Sequence, residues 1–66
     1  MHLTKREREV MRLASNGSTD YEIAARIGTS VRTVNFHLRN VYEKTESANR
    51  IEAALKTGFL IQGDPK

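Results

Sequence analysis

A chain of 66 residues with eleven Lys and Arg against eight Asp and Glu, and with no cysteine, has room for one small domain built without disulfides or thiolate metal sites. The formal net charge of +3 and a pI near 9.7 favour a polyanionic partner. His2 and His37 lack the paired spacing of a zinc site, no apolar run approaches the roughly 20 residues of a membrane span, and no signal peptide begins the chain; the expected setting is the cytoplasm, with no metal and no cofactor.

Thr4 followed by Glu7 is a capping box, in which the threonine oxygen accepts from an orphan backbone N–H while the glutamate reaches back to the cap. A first helix is predicted over about 5–15, with Val10, Met11 and Ala14 as its apolar stripe, Leu13 beside them, and Asn16-Gly17 ending it. Thr19 with Glu22 repeats the box, and Ile23, Ala24 and Ile27 precede Gly28, which predicts a short second helix over 20–27. Only Thr29 and Ser30 then separate Gly28 from the next apolar run. A turn of three or four residues with a glycine between two helices is the helix-turn-helix signature.

The third helix is predicted over 31–44, with Val31, Val34, Leu38 and Val41 on one arc at about 100° per residue. Ser47 is the expected N-cap of a fourth helix over 48–57, closed by Gly58, and the last four residues are expected to fray. The predicted architecture is thus all-α, one tetrahelical domain over 1–66. Apolar Ala48, Ile51, Ala53, Ala54 and Leu55 cover more than half of the fourth helix, wider than one core stripe needs. A self-association face is therefore expected on Ala48, Ile51 and Leu55, with Glu52 among them.

Positive charge is concentrated on two segments. Residues 4–15 hold Lys5, Arg6, Arg8 and Arg12 against Glu7 and Glu9, and residues 31–44 hold Arg32, Arg39 and Lys44 against Glu43; the second helix, with Asp20, Glu22 and Arg26, is net acidic. On the outward arc of the third helix lie Arg32, Asn35, Phe36, Arg39 and Asn40. Arginine and amide side chains match guanine and adenine edges, and an apolar ring between them can touch a thymine methyl. Thr19 and Thr33, near helix starts where free N–H groups and the dipole favour anions, are expected as phosphate contacts together with Ser30, Arg32, Asn40 and Lys44. His37, about 60° from the centre of the buried arc, is expected to pack as a neutral ring with one hydrogen bond, and Arg50 to pair with Glu7 or Glu22.

The other class that these features allow is a protein-interaction bundle, for which salt dependence is the discriminator. Catalysis has no converging titratable constellation to work with.

LTKREREVMRLASNGSTDYEIAARIGTSVRTVNFHLRNVYEK followed by ANR resembles the LuxR-type (LuxR/FixJ) helix-turn-helix domain over nearly the whole chain, and TVNFHLRN looks most like its quorum-sensing branch. The resemblance implies a C-terminal effector domain that regulates transcription, with the third helix reading DNA through Asn35, Phe36 and Arg39, Thr19 and Thr33 on the backbone, and helix 48–57 as a weak homodimer contact. Dimers are expected on a dyad-symmetric promoter site, with RNA polymerase as a further partner and no lactone bound by this domain. The chain departs from the family at Thr45-Glu46-Ser47, where a leucine and a short apolar residue usually follow the lysine. Region 4 of the bacterial sigma-70 class shares LT.RE, EIA and TV and is the alternative.

Overall fold

The computed structural model describes residues 2–59 and contains four helices: α1 (Lys5–Ser15), α2 (Asp20–Ile27), α3 (Val31–Thr45) and α4 (Arg50–Thr57). Each begins at a side-chain oxygen. Thr4, Thr19, Ser30 and Asn49 accept from the backbone N–H three residues on, and in α1 and α2 the glutamate closes a full capping box. Each orphan donor satisfied in this way is worth about 1 kcal/mol. Positive φ at Gly17 and Gly28 lets the chain reverse after α1 and α2, and the carbonyl of Leu13 accepts from Ser18 as that of Ala24 does from Thr29.

Spacing at i, i+3, i+4 and i+7 puts Val10, Met11 and Ala14 on one face of α1, Ile23 and Ala24 on α2, and Val34, Leu38 and Val41 on α3, and all of these are buried together with Leu3, Ala53 and Ala54. Burying a side chain the size of Met11, Ile23 or Val34 contributes about 1.5–3 kcal/mol. α1 and α3 each pack on all the other helices, whereas the backbones of α2 and α4 do not approach one another.

The fourth helix differs from expectation at its start. Ser47 donates its N–H to the carbonyl of Tyr42 and bonds the Thr45 hydroxyl, which makes it part of the turn that ends α3; Asn49 caps α4 instead, and Glu52 reaches back to the Ala48 N–H at 2.6 Å. Ala48 therefore lies ahead of the helix. Glu46 ends α3 in the left-handed region at φ 55°, which costs an L-residue roughly 1–2 kcal/mol. The Lys56 ammonium binds the carbonyls of Thr45 and Glu46 at 3.0 and 2.8 Å and so caps the same turn from α4. Thr45, where the family resemblance led to an apolar residue, is buried all the same, its hydroxyl donating to the Val41 carbonyl at 2.8 Å.

Among the described residues, two ion pairs cross the fold. Glu7 is only 4% exposed, and its carboxylate receives both the Thr4 N–H at 3.0 Å and the Lys44 ammonium at 2.6 Å. Burial pushes the Glu7 carboxyl upward, but the bonds from Lys44 and Thr4 outweigh it and hold the group below its ordinary range. Arg50 pairs with Asp20 and donates to the Ser18 carbonyl at 3.3 Å. Neither partner expected for Arg50 receives it: Glu7 holds Lys44 and the Thr4 N–H, and Glu22 closes its own capping box.

Candidate nucleic-acid interface

Gly28, Thr29 and Ser30 form the whole connection between α2 and α3, and the left-handed Gly28 sets the angle at which α3 leaves. The three apolar residues buried on α3 turn the opposite arc outward. Arg32, Asn35, Phe36 and Arg39 line one shallow depression on that arc, with Phe36 60% exposed in their midst. Among the described residues, Arg32, Asn35 and Arg39 make no ion pair or side-chain hydrogen bond within the fold, which leaves their donors for an outside partner. An exposed ring set among free polar groups matches the edges of base pairs.

Asn40 lies half-buried at the rim of this arc. Thr19 accepts from the Glu22 N–H at 3.1 Å and Ser30 from the Thr33 N–H at 3.1 Å, while the Ser30 hydroxyl donates to Thr33 Oγ1 at 3.0 Å. In this arrangement the Thr19 and Thr33 oxygens are acceptors, and their own hydroxyl protons point to no acceptor among the described residues. Lys44, expected at a phosphate, has its charge engaged by the buried Glu7, since the C-terminal turn of α3 runs back over the start of α1. Val31 is corrected as well: at the first turn it is 37% exposed and lines a furrow with Tyr21, Ala25 and Ser30 instead of entering the core.

His37 stacks edge to face on Phe36, ring centres 5.8 Å apart, and its buried Nδ1 has no hydrogen-bond partner among the described residues, where one had been expected. An edge-to-face arrangement at this distance is a favourable one for two rings. Tyr21, 76% exposed, was not singled out by the sequence. Its signal was an aromatic placed off the Ile23, Ala24 and Ile27 stripe. On α4, Ala53 and Ala54 take the core face, and Ile51, 61% exposed, and half-buried Leu55 take the outer one. Half-buried Glu52 is spoken for by the cap at Ala48 and lies 3.9 Å from Lys56.

Residues 1–57, all four helices, match the family described as bacterial regulatory proteins, luxR family. The chain belongs to the luxR family. It is similar to the transcriptional activator protein AnoR of Acinetobacter nosocomialis, 45% identical over 60 residues, covering 91% of this chain and 25% of that protein. It is also similar to the transcriptional activator protein AhyR of Aeromonas hydrophila, 50% identical over 62 residues (89% and 24%), and to the transcriptional activator protein LuxR of Aliivibrio fischeri, 43% identical over 61 residues (88% and 24%). The chain thus spans about a quarter of the length of the relatives it matches. It is a luxR-type helix-turn-helix domain, and that family is one of bacterial regulatory proteins and not of enzymes. No helix among the described residues is long and apolar enough to cross a membrane.

Proposed function

We propose that this luxR-type domain reads duplex DNA in the major groove with α3, Asn35, Phe36 and Arg39 touching base edges and Thr19, Ser30, Arg32, Thr33 and Asn40 touching phosphates. One observation carries the proposal: the open ring of Phe36 set among Arg32, Asn35 and Arg39, whose donors have no partner among the described residues. Base contacts specify and phosphate contacts set register. Lys44 is left to the frame.

Two chains bind a dyad-symmetric promoter site as a weak pair through the Ile51 and Leu55 face of α4, with Ala48 and Glu52 at its edge, and half-sites about one helical turn apart, roughly 10–10.5 bp. The domain serves as effector of a quorum-sensing type of regulator, acts at the bacterial nucleoid in the cytoplasm, and meets RNA polymerase there; the signal molecule is not a ligand of these four helices.

Titration of the 15N-labelled chain with a dyad-symmetric duplex at two salt concentrations tests the proposal. Shifts at Thr19, Thr33, Asn35, Phe36 and Arg39 that weaken steeply with salt are expected. Salt-insensitive shifts confined to residues 48–57 would overturn it.

A further inference from the structure

Arg50 breaks a local rule. It is the first residue of α4, where the helix dipole presents positive charge and favours an acid. A cation at that position weakens its own helix, so its presence has a reason elsewhere in the fold.

That reason lies across the molecule. The backbones of α2 and α4 do not approach one another among the described residues. Arg50 spans the gap: one nitrogen donates to the Ser18 carbonyl in the loop before α2 at 3.3 Å, and the other pairs with Asp20, the first residue of α2. Burial pulls the guanidinium's proton affinity down, but Tyr42 and the Asp20 carboxylate outweigh it and hold the group above its ordinary range. One planar fork thus ties α4 to the loop before α2 and to α2 itself. A lysine, with a single point charge, lacks the geometry to hold the carboxylate and the carbonyl together.

We propose that Arg50 is a positioning residue that fixes the helix-turn-helix unit relative to α4, so that two chains paired through α4 present their third helices at one set spacing. The inference rests on the paired-domain function proposed above. α2 and α3 form the part that meets DNA, and α4 forms the part that meets the second chain. A direct tie between α2 and α4 converts the geometry of the pair into the geometry of the two half-sites. Without it, each α3 still recognises a half-site, but the second half-site gains less from the first, because part of the orientation must be fixed on binding.

The test uses a dyad duplex selected from a random library, the single half-site cut from it, and versions with one base pair inserted or deleted between the half-sites. Wild-type chain is expected to bind the dyad at least tenfold more tightly than the half-site and to lose that gain on the respaced duplexes. Arg50→Met is expected to bind the half-site within threefold of wild type, to lose most of the dyad gain, and to tolerate the altered spacings nearly as well as the original. Arg50→Lys falls between the two, and the swap Asp20→Arg with Arg50→Asp recovers part of the spacing preference. Should Arg50→Met not fold, Asp20→Asn removes the α2 anchor and leaves the core intact, with the same expected change at smaller size. Dyad gain and spacing preference that survive in the variants overturn the inference alone. Wild-type chain that binds the dyad no better than the half-site overturns the paired function and the inference with it.

Discussion

Phe36 and Ile51 are almost equally exposed, at 60% and 61%, yet the faces around them have little in common. Phe36 stands among two arginines and an asparagine whose donors are unused, whereas Ile51 sits with Leu55 on a helix whose polar groups are taken up by its own cap and by Lys56. Exposure by itself names no partner; the hydrogen-bonding capacity around the ring or chain does. A flat ring among free donors suits base edges, and an aliphatic stripe beside satisfied polar groups suits a second copy of itself.

The comparison can be sharpened at Arg39. Arg39→Ala is expected to cost about 1–3 kcal/mol on a selected duplex and much less on random sequence, measured by fluorescence anisotropy. Equal losses on both would remove Arg39 from the base-reading set. Lys44→Met tests whether the last basic residue of α3 belongs to the DNA face or to the frame. Removing one partner of a buried pair costs about 3–5 kcal/mol when both are enclosed, and with the lysine partly in water we expect about 2 kcal/mol by urea unfolding. The salt slope of DNA binding is expected to stay as it is; a fall of about one unit would return Lys44 to the phosphate contacts.

Acidity separates the same two roles. Because the folded Glu7 carboxyl is held below its ordinary value of 4.5, its contribution to stability is present above that pH and fades as the pH drops toward the folded value. In Lys44→Met the strongest bond holding it down is gone and burial pushes the group up, so protonation through this pH range should no longer destabilise the fold by way of Glu7. Urea midpoints between pH 3 and 6, roughly the range bracketing an ordinary carboxyl, would show the wild-type slope flatten or reverse.

Smaller effects probe α4 and its approach. Glu46→Gly relieves a left-handed L-residue and should raise stability by about 1 kcal/mol, read from the urea midpoint, with DNA affinity unchanged. Ile51→Asp is expected to alter monomer stability by no more than about 0.5 kcal/mol, while sedimentation at high concentration loses any paired species. A chain that is monomeric both before and after that change would leave Phe36 as the only one of the two faces with a partner.

The local rules of helix formation were legible in the sequence to a degree that the cross-helix contacts were not. Thr4 with Glu7 and Thr19 with Glu22 close their capping boxes within three residues, and the apolar spacing of α1 and α3 alone puts Met11, Val34 and Val41 inside. The outward arc of α3 follows from the same period, so Arg32, Asn35, Phe36 and Arg39 were candidates before any fold was known. Val31 misled because the periodic pattern extends to the first turn of α3 while the core does not reach it. Ser47 misled because two good caps, Ser47 and Asn49, lie two residues apart, and the turn that ends α3 consumes the first.

The starts of the first three helices, the helix-turn-helix spacing and the outward arc of α3 are properties of neighbours within about one turn of chain, and a single sequence carries them. Which carboxylate receives Lys44, that Asp20 and not Glu7 or Glu22 holds Arg50, and that Arg50 bridges two helices whose backbones do not approach one another depend on residues thirty or more positions apart. Such pairings are chosen by the packing angles of whole helices around a shared core, and those angles have no representation in the spacing of residues along any one of them.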